Sequence, residues 1–368
     1  MNYQKRTLLL IIAALTTFAC NGQPITKSED KIQIAFLLDV SGSMNQLILK
    51  AKSQFWKLAN YLGTATKKRE KPTVEFSIIV YGLDQEKGLC KILTDFNSDL
   101  DSVAINLHSI EIGGSEEYCW TTISIALDRL TWSKGKDDLK LIIIAGNESF
   151  NQEMVDSKMV IDKARRMNVI INTIYCSETA QDSINYEWKN VARKARGNYF
   201  SISLKDSINL KGNFLDQKLS DFNDRLNTTY VPFGQNGRKN YRRMLLQDEN
   251  SKMAGIPFFR ERVIYKVSDS FKNTTWDLVD AVKADSTILT NFELLKGTNL
   301  GFKDTNAFRK YVDDKSYFRE SYREVIKLRY EMIKKYLGEN VGDRDLDLAV
   351  KKIIDKEGRK KNFEFRSE

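Results

Sequence analysis

The stretch Ile32-Gln33-Ile34-Ala35-Phe36-Leu37-Leu38-Asp39-Val40-Ser41-Gly42-Ser43-Met44 decides the fold of this chain. Its first seven residues are almost continuously apolar, as in a strand whose sheet is covered on both faces. Oxygen-bearing side chains then crowd into one turn. A helix follows, because Met44, Leu47, Ile48, Ala51, Phe55, Leu58, Ala59 and Leu62 recur at steps of three and four.

The same alternation continues outward. Val74 to Tyr81 reads as a second strand and Leu89 to Thr94 as a third, with Gly82 to Gly88 as a hairpin turn that makes an antiparallel edge. A helix from about Ser98 to His108 precedes Gly113-Gly114, and another runs from Glu117 to Leu130. Leu139 to Ile144 is the clearest buried strand. Helix, strand, helix and strand then follow over Met154 to Met167, Val169 to Tyr175, Tyr186 to Ala195 and Tyr199 to Ile202. Units of this size force crossovers, so residues 31–204 are expected to form an α/β domain: a doubly wound, Rossmann-like, mainly parallel sheet.

Residues 205–368 read as a helical C-terminal extension. Leu215 to Leu226 and Trp276 to Val282 look helical, and Val231-Pro232-Phe233-Gly234 breaks the pattern. Phe318, Tyr322, Ile326, Tyr330, Ile333 and Leu337 form one stripe, with Val325, Leu328, Met332 and Tyr336 beside it. Two stripes predict a helix packed by several neighbours, in a hairpin or bundle.

Residues 1–20 stand apart. Lys5 and Arg6 precede an apolar run from Leu8 that closes at Ala19-Cys20, the pattern of a secretory signal and too short for a spanning helix, which needs about 20 apolar residues. Thr17-Phe18-Ala19-Cys20 resembles a bacterial lipobox, which implies acylation of Cys20, a polar tether over 21–30, and an exported protein of the periplasm or outer-membrane cell envelope. Cleavage after Ala19 without acylation is the alternative.

Composition bounds the rest. With 42% hydrophobic and 29% charged residues the chain is globular. Net charge is +9, with most of the excess after Gln235. There the charges alternate in sign, which reads as a solvated helix surface. No nucleic-acid recognition module is present. The single histidine, His108, falls in a helix pattern and reads as a helix-surface residue; most hydrolytic triads and catalytic zinc sites need a well-placed histidine. There is no P-loop, HExxH or nucleophile elbow, so the expectation is a protein that is not an enzyme.

Asp39-Val40-Ser41-Gly42-Ser43 stands at a strand's carboxyl end, where open α/β sheets collect ligands. Asp39 offers a carboxylate, Ser41 and Ser43 bring two hydroxyls round the turn, and Gly42 lets the backbone close. Helix capping by either serine is the bland alternative. This D-x-S-x-S pattern resembles the von Willebrand factor type A (VWA) family over roughly Ile32 to Ser203. The resemblance implies a MIDAS-like divalent-cation site for Mg2+, or for Mn2+ or Ca2+, held by oxygen ligands. It also implies a protein partner whose Asp or Glu completes the metal shell.

The family's later ligands are altered here. Where a threonine usually follows the glycine pair, this chain has Ser115, or Glu117 if the loop is two residues longer. Where T-D-G is usual, it has Ala145-Gly146-Asn147-Glu148, leaving Asn147 or Glu148 to reach the cation directly or through water. The strings Gly114 to Cys119, Ile144 to Glu148, Asp224 to Val231 and Trp276 to Ala281 resemble a subgroup of exported bacterial VWA-like proteins.

Cys119 opens a helix and Cys176 ends a strand, both toward the carboxyl edge of the sheet. A Cys119–Cys176 disulfide is therefore expected in an oxidising compartment, with two buried thiols as the alternative. The leading expectation for function is an envelope-anchored protein binding partners through the cation site. The second is a structural or assembly factor of the cell envelope, binding through its helical tail with an inert cation site.

Overall fold

A computed structural model describes residues 29–84, 90–114, 118–152, 155–177, 182–204, 214–290, 305–337 and 346–366. The signal segment with Cys20, nearly all of the tether, Ser115 and Glu117 lie outside them. Within the described residues the sheet region runs β1 (Lys31–Asp39), α1 (Asn45–Gly63), β2 (Thr73–Tyr81), β3 (Cys90–Asn97), α2 (Leu100–His108), α3 (Cys119–Arg129), β4 (Leu139–Gly146), α4 (Ser157–Arg166), β5 (Ile170–Ser177), α5 (Asp182–Lys194) and β6 (Tyr199–Ser203). The strands order as β3-β2-β1-β4-β5-β6 in one six-stranded sheet. All neighbours are parallel except β2 and β3, which pair antiparallel at the edge. The doubly wound sheet with an antiparallel edge is as the pattern of residues indicated.

Period-two alternation sorts β1 between two cores. Ile32, Ile34 and Leu38 enter a cluster shared with Leu47, Ile48 and Phe55 of α1 and with Val103 and Leu107 of α2. Ala35 and Leu37 enter the opposite one, with Ile123 of α3, Ile161 of α4 and Trp188 of α5. Burial on both faces explains why β1 and β4 lack a polar face.

The C-terminal region adds α6 (Phe214–Asn227), α7 (Gly237–Ala254), α8 (Ile256–Val267), α9 (Leu278–Ala284), α10 (Thr305–Leu337) and α11 (Leu346–Lys360). Most of its buried residues join the core on the first face of the sheet, and a smaller cluster of its own gathers Val231, Phe233, Leu278, Val279, Leu289, Phe308 and Val312. Leu219, Leu226, Met244, Val263, Ile326, Ile333, Val350, Ile353 and Ile354 belong to the same cluster as Ile32 and Leu38. Leu346 and Val350 of α11 line a small apolar cavity together with Phe36, Leu38, Ile143 and Ala145 of the strands. Near the chain end, Thr66 pairs with Glu364 in an isolated antiparallel bridge.

Two expectations for this region are corrected. α10 packs against α6, α8 and α9, as several neighbours were expected, and Ile326 and Ile333 of its first stripe are buried, but Leu328, Met332 and Tyr336 of the second are 68%, 54% and 63% exposed. The alternating charges are not all solvated either. Arg260, Arg262, Lys266, Asp248, Arg319 and Asp277 are buried and joined in ion pairs: Arg260 with Asp216, Arg262 and Lys266 with Asp248, and Arg319 with Asp277.

Candidate metal centre at the sheet rim

Asp39 is the last residue of β1, in register with Tyr81 of β2, and is fully buried. Its Oδ1 accepts the backbone N–H of Ser41 at 2.8 Å, which turns the chain out of the strand. Ser41 Oγ lies 3.2 Å from Ser43 Oγ, and Asn147, just past β4, donates its Nδ2 to Ser43 Oγ at 3.3 Å. Asp39, Ser41, Ser43 and Asn147 are thus brought together. Neither serine side chain caps the helical turns that follow, so the hydroxyls have no structural duty there.

Two acceptors in this group are buried without a hydrogen-bond donor: Asp39 Oδ2 and Asn147 Oδ1. An unpaired buried acceptor carries a desolvation cost of about 1–3 kcal/mol. Burial, first of all, pushes the Asp39 carboxyl up to about 7, against the hydrogen bonds from Ser41, and the nearby charge of Glu148 adds to the rise. Oxygen atoms of a carboxylate, two hydroxyls and an amide form a hard donor set, which suits magnesium or calcium. The residues fit a divalent cation. Among the described residues no group of three or more His, Cys, Asp or Glu side chains is placed to hold a metal ion.

Residues from distant parts of the chain shape the rim. A Cβ on Gly146 would lie 2.3 Å from the Tyr81 hydroxyl and 3.0 Å from Asp39 Oδ2, so only glycine lets β4 pass the carboxylate. Gly42, expected to ease the turn, would meet nothing within 4 Å if it carried a Cβ. The backbone N–H of Gly113 donates to Val40 O at 2.9 Å, tying the glycine-pair loop to the rim. Gly114, at φ +107°, packs where a Cβ would strike Gly82 O.

The loop after β4 is clamped by α5. Glu187 accepts Ser149 Oγ at 2.6 Å and the Phe150 N–H at 3.0 Å, and Trp188 Nε1 donates to Glu148 O at 2.7 Å. The Glu148 carboxylate accepts Gln152 Nε2 at 3.0 Å. No local pattern of residues points to Gly146, Tyr81, Glu187 or Trp188 in these roles. Each acts across a contact between segments far apart in the chain.

The expected Cys119–Cys176 disulfide is not formed. Cys176 of β5 points into the first core with Ile174, while its neighbour Tyr175 points into the second, where Cys119 sits. The sheet lies between the two sulfurs. No disulfide joins Cys90, Cys119 and Cys176, and burial raises the Cys176 thiol well above its ordinary range. His108, in the last turn of α2, is pushed down to about 4 by burial and then by the charge of Lys52.

Comparison with known proteins places residues 33–216 on the family model described as von Willebrand factor type A domain. Among solved structures, the chain is similar to the conserved hypothetical protein BatB from Bacteroides thetaiotaomicron, at 13% identity over 47% of this chain and 90% of that one, with TM-score 0.35. It is similar to an aerotolerance-related membrane protein from Bacteroides fragilis, at 13% identity over 46% and 91%, with TM-score 0.33. It is also similar to proximal thread matrix protein 1 from the mussel byssus with a zinc-occupied MIDAS motif, at 14% identity and TM-score 0.36 over 48% of this chain. That match spans only 43% of the mussel chain. A search of curated proteins gave no match.

Proposed function

This chain belongs to the von Willebrand factor type A domain family, and from that premise we propose that it is a non-catalytic binding protein that engages a protein partner through a divalent cation at its sheet rim. The observation that carries the reading is the pair of orphaned buried acceptors, Asp39 Oδ2 and Asn147 Oδ1, beside the hydroxyls of Ser41 and Ser43. A bound divalent cation supplies a net positive centre that takes a carboxylate oxygen from a partner's Asp or Glu. Asp39 contributes the formal charge, and its fixed Oδ1 contact with Ser41 N–H leaves Oδ2 for the ion. Ser41, Ser43 and Asn147 add neutral oxygens. With one carboxylate on the chain's side, an acidic partner has charge to neutralise. Ser115 or Glu117 would complete the chain's share; a coordinating Glu117 would weaken the preference for an acidic partner.

The reading extends to placement in the cell. The signal-like residues 1–20 and the lipobox-like Cys20 support an exported, lipid-anchored protein of a bacterial envelope, and among the described residues no helix is long and apolar enough to cross a membrane. Manganese titration followed by paramagnetic resonance is expected to show one bound ion in the wild-type chain and none in Asp39→Ala. Pull-down from the native envelope is expected to lose the same partners with a chelator as with Asp39→Ala. Wild-type protein that takes up neither manganese, magnesium nor calcium removes the reading.

The second reading, attachment through the tail, is favoured by the solvent-exposed apolar residues Leu328 and Met332 on α10. Partners lost in Leu328→Glu with Met332→Glu, and retained in Asp39→Ala, would establish it instead.

A further inference from the structure

At the edge of the sheet opposite Asp39, the C-terminal region closes over a polar cleft. One part, about 230 Å³, is walled by Ser98 and Asp99 before α2, by Asn240 and Arg243 of α7, and by the loop that carries Lys272 and Asn273. A second part, about 310 Å³, shares Ser98, Tyr265, Ser270 and Lys272 with the first and runs on along Ala59, Leu62, Pro72 and Val74. Volumes of this order admit a small organic ligand.

The polar part is rich in donors that lack acceptors. Arg243 Nε and Asn273 Nδ2 are buried and make no hydrogen bond. Arg243 has already given its Nη2 to the Asp99 carboxylate. That carboxylate also accepts the N–H and hydroxyl of Ser102 at the start of α2. Asn273 is held by its backbone: its N–H donates to Asp280 at 2.9 Å, and its carbonyl accepts the N–H groups of Trp276 and Asp277. The side-chain amide is therefore not needed to keep the loop in place. Asp101, also on this wall, is paired with Arg262. Asp99 is balanced by Arg243, and Lys71 on the wall of the second part by Asp269 at 3.9 Å, so the ammonium of Lys272 leaves the cleft one positive charge in excess.

We propose that this cleft binds a small organic monoanion, a carboxylate on a short apolar body. Its oxygens face Arg243 Nε and Asn273 Nδ2 near Lys272, and its body lies along Ala59, Leu62, Pro72 and Val74. Two orphan donors call for an acceptor, a single excess charge favours one negative charge, and the apolar wall accounts for the rest of the molecule. The site is distinct from the cation rim, and a chelator is expected to leave it untouched.

Calorimetric titration of the full chain with octanoate, octan-1-ol and inorganic phosphate tests it. Octanoate is expected to bind, and the alcohol and phosphate each about tenfold more weakly or worse, because a hydrogen bond to a charged group carries at least that factor. Asn273→Asp, which replaces the donor by an acceptor at the same size, is expected to lower octanoate affinity by about tenfold or more at an unchanged melting temperature. Lys272→Glu, on an exposed side chain, gives a second test and is expected to weaken octanoate as well. If octanoate does not bind at millimolar concentration, if octan-1-ol or phosphate binds as tightly, or if both variants bind octanoate like the wild type, the proposal is overturned.

Discussion

Gly146 is where one methyl group decides the chemistry of the rim. Between the Tyr81 hydroxyl and Asp39 Oδ2 there is no room for a Cβ, and Tyr81 is itself fixed by its hydrogen bond to Ala145 O at 3.0 Å. Gly146→Ala must push either the tyrosine or the carboxylate aside. Overpacking in a tight core costs about 1–3 kcal/mol, so its melting temperature is expected to fall, and manganese uptake with it. Gly42→Ala meets open space and is expected to stay within about 0.5 kcal/mol of wild type. Thermal melts and manganese titrations of the two variants side by side check this; equal behaviour would mean that the rim is not held by Gly146. The contrast also locates the constraint. The glycine inside the D-x-S-x-S pattern is free of steric demand, and the demanding one lies on the neighbouring strand.

Among the elements, α7 and α8 are tied by charge. Arg262 of α8 is fully buried, reaches Asp101 of α2 at 2.5 Å and Asp248 of α7 at 3.0 Å, and lies 4.3 Å over the ring of Trp56. Lys266 joins Asp248, Asn223 and Asn227. Burial alone would raise the Asp248 carboxyl, but the charges of Lys266 and Arg262 outweigh it and hold it well below the usual range. Removing one partner from such a network strands a buried charge, at about 3–5 kcal/mol. Arg262→Met is expected to destabilise by that order in urea unfolding. Adding Asp101→Leu, which removes the stranded carboxylate, is expected to recover part of the loss; no recovery would show that Asp101 is not charged in the fold.

This network also explains why α7 and α8 were hard to read from residues alone. Charged side chains of alternating sign look the same whether they face water or each other, because pattern carries no partner. By contrast β1, α1 and β4 were legible, since an unbroken apolar run and a three-four recurrence are local signals. Asp39, Ser41 and Ser43 were legible for the same reason: they sit within one turn. Asn147 emerged only through likeness to a family, and Glu187 not at all, because what places it is a fold-level contact of α5 with the loop after β4. The disulfide expectation failed on the parity of a strand, where one residue's shift between Tyr175 and Cys176 changes the face of the sheet.

At the scale of the whole molecule, the chain end completes the α/β fold. On one face the crossover helices α3, α4 and α5 cover the strands; on the other, α1 and α2 are joined by α11, whose Leu346 and Val350 face Phe36, Leu38 and Ile143. The outer side of α1 is covered as well: Trp56 stacks near Tyr265 at 4.9 Å, Tyr61 near Phe365 at 5.4 Å, and Asn60 donates to Glu261. A chain cut before Gln235 would bare these groups together. Each large apolar side chain returned to water costs about 1.5–3 kcal/mol, and a domain has only about 5–15 kcal/mol to lose. Trp56, Phe36, Leu38 and Ile143 alone bring the loss into that range. Residues 31–204 by themselves are therefore expected to form an expanded, dye-binding state without a cooperative melt, although they contain all six strands of the described sheet. Adding the C-terminal segment in trans is expected to restore the melt only if it carries α11. A truncated chain that melts sharply and still takes up manganese would mean that the sheet closes its first face unaided, and that the tail merely rests upon it.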